Sequence, residues 1–254
     1  IGKDIDIHAE QNPREDANDG FVRLFVVQQH EGINKDEVEQ TIMKIMSKDA
    51  EDEKWTGIDA DIKILTLEHM MAARRLGFDS FFAPFNKVSK YQMTFLQGAV
   101  PEIEYFTKIV LPIAESMKGD GRVALEILKE YSPLLSKQNT EKPYELYLKC
   151  REKAVDVASM VNENKTIREI VKTISDSQLI NLPNVVDRAS NLVSDDVKES
   201  DDEELTAWVN TMDLPIEVIR RYDDYVNHRT RFDTHQGVKG LEFDRVLVII
   251  DDSE

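Results

Sequence analysis

The chain has 254 residues, room for one large domain or two smaller ones. With 41% hydrophobic and 32% charged residues it reads as globular. No apolar run approaches the roughly 20 residues of a membrane span, and no secretory leader opens the sequence, so a cytoplasmic protein without membrane contact is expected. A single cysteine, Cys150, excludes an internal disulfide framework; it sits in a helical pattern and reads as a packed thiol. The formal net charge is -17. Surfaces that bind nucleic acid through phosphates carry a basic excess, so the chain alone is expected to bind DNA poorly.

Residues 1–20 are polar, with turn signals at Asn12-Pro13 and Asn18-Asp19-Gly20. The β-branched and aromatic run Phe21–Val27 predicts a strand. Lys35–Lys48 predicts a helix with Asn34 as N-cap and Val38, Ile42 and Ile45 on one face. Asp61–Thr66 reads as a second strand, and Leu67–Leu76 as a short helix closed by Gly77. This alternation implies parallel strands with right-handed crossovers.

From about residue 88 to about 227 only helices are predicted. Val100, Ile103, Val110, Ala114 and Met117 share a face, as do Val123, Ile127, Leu128 and Tyr131. Tyr147, Ala154, Val157, Ala158 and Val161 form another, and Ile167, Ile170, Val171 and Ile174 the next. Leu205, Trp208, Met212, Ile216, Ile219 and Val226 close the series. The acidic run Ser194–Glu204 reads as a solvated loop leading into a helix start, with a partner-binding acidic patch as the alternative. Arg229–Thr234 returns to strand-like sequence. Val246–Ile250, a continuous apolar run, predicts a strand buried on both faces of a parallel sheet. The expected division is residues 1–87 with 228–254 as a discontinuous α/β domain, interrupted by a helical insertion at 88–227.

Between the last two strands lies Asp233-Thr234-His235-Gln236-Gly237-Val238-Lys239-Gly240-Leu241-Glu242-Phe243. The spacing Thr-x-Gln-x-x-Lys-Gly-Leu-Glu-Phe before a strand resembles motif V of the UvrD/Rep-type superfamily-one DNA helicases. Ile64–Phe78 is more loosely similar to the segment after their motif IV, where a strand delivers a threonine or arginine and the next helix carries an arginine. The plan of a split α/β domain also matches, since the second RecA-like domain of these helicases is interrupted by a helical subdomain.

The resemblance implies a three-layer, RecA-like parallel sheet and a motif lying in the cleft between two RecA-like domains. Glu242 would accept a hydrogen bond from the nucleotide's ribose hydroxyl, because a carboxylate only accepts. Gly240 would let the backbone approach the ligand, and Lys239 would meet a phosphate or an acidic neighbour. Thr234 and Gln236 would face the phosphates and sugars of single-stranded DNA, with His235 the adjacent nucleic-acid-contacting candidate. Gln236 stands where many members have histidine.

Taken residue by residue, other readings stay open. A glycine-rich turn precedes a strand in many α/β proteins, Lys239 and Glu242 could form a surface ion pair, and Glu68 with His69 read more readily as structural. The sequence has no G-x-x-x-x-G-K-[ST] phosphate loop and no recognisable paired acids for Mg²⁺, both of which ATP hydrolysis needs along with an arginine finger. Ile1 is not an initiating Met, and nothing follows the last strand to cover the sheet. The expectation is therefore an inactive piece of an ATP-dependent DNA helicase of DNA repair. The parent would bind ATP, Mg²⁺ and single-stranded or duplex DNA, and would supply the first RecA-like domain. The alternative is a helical protein-interaction module that docks a partner such as a nuclease.

Overall fold

The computed structural model describes residues 20–28, 32–135, 143–193 and 202–250. It is mostly helical, with one three-stranded parallel sheet, an α/β arrangement in the coarse sense. Among the described residues, 20–62 with 243–245 form one compact unit, and 63–242 with 246–250 form the other. The turn signals before Gly20 and the acidic residues 194–201 lie outside the described residues.

In the first unit, helix α1 (Lys35–Asp49) begins where expected because Asn34 Oδ1 accepts from the amides of Asp36 (3.2 Å) and Glu37 (3.4 Å). Met46 is its buried residue, while Ile45, expected on the apolar face, is 39% exposed. A 3-10 turn (Glu53–Trp55) buries Trp55. Arg245 Nε donates to Asp52 Oδ2 at 2.5 Å, tying the residue before the last strand to this turn.

The second unit holds the sheet and all other helices. Strand β1 (Lys63–Thr66) is central, flanked by β2 (Phe232–Thr234) and β3 (Val246–Ile249), all parallel. The register pairs Leu65 with Asp233 and Val248, and Thr66 with Thr234 and Ile249. Two sequence expectations are corrected here. Phe21–Val27 is not a strand: residues 20–28 carry no regular element, and Val22, Leu24 and Val26 are 79–88% exposed. Strand propensity reflects a fit to a half-buried pleated surface, and this run has none; the place beside β1 goes to the short, polar β2. The second correction concerns Val246–Ile250, which is not buried on both faces. β3 is an edge strand, and Val246, Val248 and Ile250 are exposed.

Helices α2 (His69–Leu76) and α3 (Asp79–Asn86) follow β1. Gly77 ends α2 in the left-handed region (φ 70°), where a side chain would be strained and would meet the Arg221 guanidinium that caps the helix. α4 (Gln92–Leu96) leads to a helix running from α5 (Pro101–Glu104) through a π-helical turn (Tyr105–Val110) to α6 (Leu111–Ser116). The wider turn precedes Pro112, which has no N–H for an ordinary helical bond.

α7 (Arg122–Tyr131), α8 (Pro143–Asn162), α9 (Ile167–Ser177), α10 (Asn184–Ser190), α11 (Glu203–Thr211) and α12 (Glu217–Val226) complete the unit. One apolar core runs from Ala72 to Tyr225. Its centre is aromatic: Phe95 stacks on Tyr222 at 4.7 Å, and Phe85 meets Trp208 edge-on at 5.0 Å. The predicted faces of α9 and α11 are buried, as are Ala154, Val157, Ala158 and Val161 of α8 and the Cys150 thiol, whereas Tyr147 is only partly buried. On α7 the buried residues are Ala124 and Leu128, whereas Val123 and Tyr131 are exposed.

Candidate functional site at the carboxyl ends of the strands

In a parallel sheet the chain leaves each strand at one common edge, and ligands collect there. β1 ends at Thr66 and β2 at Thr234, which are paired in register, so the segments following them emerge side by side. After Thr66 comes Leu67-Glu68-His69 and α2; after Thr234 comes the glycine-rich turn.

That turn is built on a buried carboxylate. Asp233 Oδ2 lies 3.1 Å from Lys63 Nζ and 2.7 Å from His228 Nδ1, and its Oδ1 accepts from the Thr234 amide at 2.9 Å. Lys63 also donates to Thr230 O at 3.3 Å, and both charged side chains are nearly inaccessible. Burial by itself pushes the Asp233 carboxyl up, but the bonds from His228, Lys63 and the Thr234 amide outweigh it and hold it below the ordinary range. Removing a charge from water costs several kcal/mol unless it is paired and hydrogen-bonded. Each polar atom here meets that condition.

The turn then winds over the carboxylate. Thr234 Oγ1 accepts from Gly237 N (3.2 Å), Thr234 O from Val238 N (3.3 Å), and Val238 O from Leu241 N (2.9 Å). Val238 is buried and plugs the turn from beneath. Gly237 has to be glycine for space: a Cβ there would lie 2.3 Å from Asp233 Oδ1. Gly240 has φ 87° with open space around it, so glycine answers a backbone need at that position.

Thr234 is 2% exposed and its oxygen holds the turn. His235, Gln236, Lys239, Gly240 and Glu242 are all exposed on the same short segment. The structure thus brings the expected residues onto one turn, with Thr234 beneath and the others outward.

Three contributors were not singled out from sequence as site residues: Asp233, Lys63 and His228. A lysine inside the apolar strand Ile62-Lys63-Ile64 was the available signal, since a buried ammonium demands a partner. On the β1 side, His69 opens α2 with Nδ1 2.8 Å from Tyr225 Oη. Burial lowers its pKa more than the Asp233 charge raises it.

Charge is unevenly spread along the chain. Residues 62–78 hold three cations (Lys63, Arg74, Arg75) against Glu68, and residues 227–241 hold three (Arg229, Arg231, Lys239) against Asp233. Each segment is therefore +2 in a chain of -17, although Lys63 is buried against Asp233 and Arg229 pairs with Asp223 and Asp224.

Compared with known families, curated proteins and solved structures, the chain matches none.

Proposed function

We propose that this chain contributes one wall of the nucleotide- and strand-binding cleft of an ATP-dependent DNA helicase of the UvrD/Rep type, built on a RecA-like, three-layer plan. The observation that carries the reading is the turn at residues 234–242. It leaves the carboxyl end of a parallel strand, is rigidly anchored on Asp233, and exposes Gln236, Lys239 and Glu242 together. The exposed Lys239 supplies a cation for a phosphate at that edge, although the chain as a whole is acidic. In this reading Gln236 and Lys239 contact the strand, and Glu242 and Gly240 the nucleotide. ATP with Mg²⁺ and a first RecA-like domain complete the site in the cytoplasm.

Single-stranded oligonucleotide binding by the purified chain, followed across a salt series, tests the reading. Lys239→Ala is expected to weaken binding and to reduce the slope of log K against log salt by about one, since it removes one phosphate contact. Gln236→Ala weakens binding and leaves the slope unchanged. An absence of binding even at low salt, or a slope indifferent to Lys239, ends the proposal.

A second reading has its own observation. On α8, Tyr144, Leu148 and Val155 are exposed at 72%, 43% and 47%, an apolar stripe flanking its buried face. A protein-docking module would use such a stripe. Polar substitutions there would abolish partner capture while leaving oligonucleotide binding intact.

A further inference from the structure

His69 is not one of the motif's residues, yet it stands at the same edge, three positions beyond Thr66. Its ring is fixed on two sides. Phe82 stacks on it at 6.5 Å between centroids and 26° between planes, and Tyr225 Oη lies 2.8 Å from Nδ1. Tyr225 is buried, 4% exposed, and His69 is its only hydrogen-bond partner among the described residues. A buried phenol hydrogen needs an acceptor. If Nδ1 carried the imidazole proton, the Tyr225 hydrogen would point at nothing. Tyr225 therefore donates to Nδ1, and the proton of the neutral ring sits on Nε2. That nitrogen has no partner among the described residues and is not among the buried unpaired polar atoms. The partly exposed ring thus offers a single oriented N–H, on the segment that leaves β1 where the turn leaves the paired β2.

We propose that His69 Nε2–H donates a hydrogen bond to a phosphate oxygen of a nucleic-acid strand lying across the carboxyl ends of β1 and β2. The inference rests on the strand-binding reading of the turn above. A neutral, preorientated donor suits this task because it fixes register without reading sequence. Tyr225 is a positioning residue: it selects the tautomer and does not touch the strand.

Two amides separate this role from a purely structural one. Glutamine in place of histidine carries its amide N–H to the position of Nε2 but abandons Tyr225. Asparagine occupies the position of Nδ1 and abandons the solvent side. The full chain is titrated with a fluorescent oligothymidylate of about 16 nucleotides and, separately, with a fluorescent ATP analogue. His69→Gln is expected to keep oligonucleotide affinity within about twofold, and His69→Asn to lose about threefold to tenfold, the range of one neutral hydrogen bond. Neither variant should alter the response to the ATP analogue. Early melting of His69→Gln is common to both roles, since it leaves Tyr225 unpaired; a purely structural role is told by binding, with His69→Asn binding like the parent sequence and overturning the proposal.

Lys239→Ala is measured alongside. If it weakens binding and His69→Asn does not, His69 is excluded and the strand-binding reading stands. If neither changes binding, or the unaltered chain does not bind, both fall. A loss confined to the ATP analogue overturns the assignment of the phosphate to a strand. Nitrogen-15 spectra of the imidazole need no variant: a proton on Nδ1, or an Nε2 resonance unmoved by saturating oligonucleotide, also overturns it.

Discussion

Gly237→Ala is a one-carbon change with a consequence set by its neighbour. The new Cβ would fall 2.3 Å from Asp233 Oδ1 and 3.3 Å from Thr234 Oγ1. The carboxylate cannot swing aside freely, because Lys63 and His228 hold its other oxygen and the Thr234 amide holds this one. Either the buried ion pair or the turn must give, at the overpacking cost of about 1–3 kcal/mol. Asp233→Ala removes the obstructing atom but strips Lys63 of its carboxylate. Its cost should lie at the low end of about 3–5 kcal/mol, since Lys63 keeps Thr230 O. In that background the alanine at 237 has room, and its own cost should vanish or turn to a gain of up to about 1 kcal/mol through the unfolded chain. Urea unfolding of the four proteins, followed by far-UV circular dichroism, yields the coupling energy. A coupling of about 1–3 kcal/mol is expected. Additivity within about 0.5 kcal/mol would refute the account of why position 237 is glycine.

Two other outcomes can be checked with the same instruments. Burial lowers the His69 pKa, so the folded state prefers the neutral ring. Its contribution to stability is present above the ordinary value of 6.5 and is lost as pH falls below it through the lowered folded value. His69→Asn should flatten that segment of the stability–pH curve, and an unchanged curve would place the proton linkage elsewhere. Within the sheet, Val248→Thr at the exposed edge should change stability by less than about 0.5 kcal/mol, whereas Leu65→Ala in the central strand should cost about 2–5 kcal/mol. Similar costs at the two positions would contradict the edge placement of β3.

Much of the helical architecture is legible because a helix that must bury one face writes it into the sequence at intervals of three and four. Ile167, Ile170, Val171 and Ile174 are read and buried as a set, and Gly77 marks the end of α2. The sheet was harder to read. β2 falls inside the strand-like run Arg229–Thr234, but three residues that include a buried aspartate do not tell which strand they lie beside. Phe21–Val27 has both the composition and the length, yet it pairs with no strand among the described residues. α3 is less legible: Phe78, Phe81, Phe82 and Phe85 do mark one buried face, but the helix has only eight residues and carries Pro84 inside it. At the candidate site the exposed residues could be named from spacing. The buried support beneath them could not, because Lys63 and Asp233 lie 170 positions apart and only the fold makes them partners.

That separation bears on how the chain is made. β1 emerges from the ribosome about 170 residues before the first of the two strands that flank it. At about 5–20 residues per second, the interval is on the order of ten to thirty seconds. The helices α2–α12 can condense in that time from contacts mostly between neighbours, but β1 cannot complete its ladder. Until residue 233 appears, Lys63 lacks the Asp233 carboxylate it meets in the finished sheet, and an ammonium facing an apolar strand environment resists burial. The same lysine that stabilises the finished sheet thereby keeps the waiting strand hydrated, a gatekeeper charge against premature pairing with another chain.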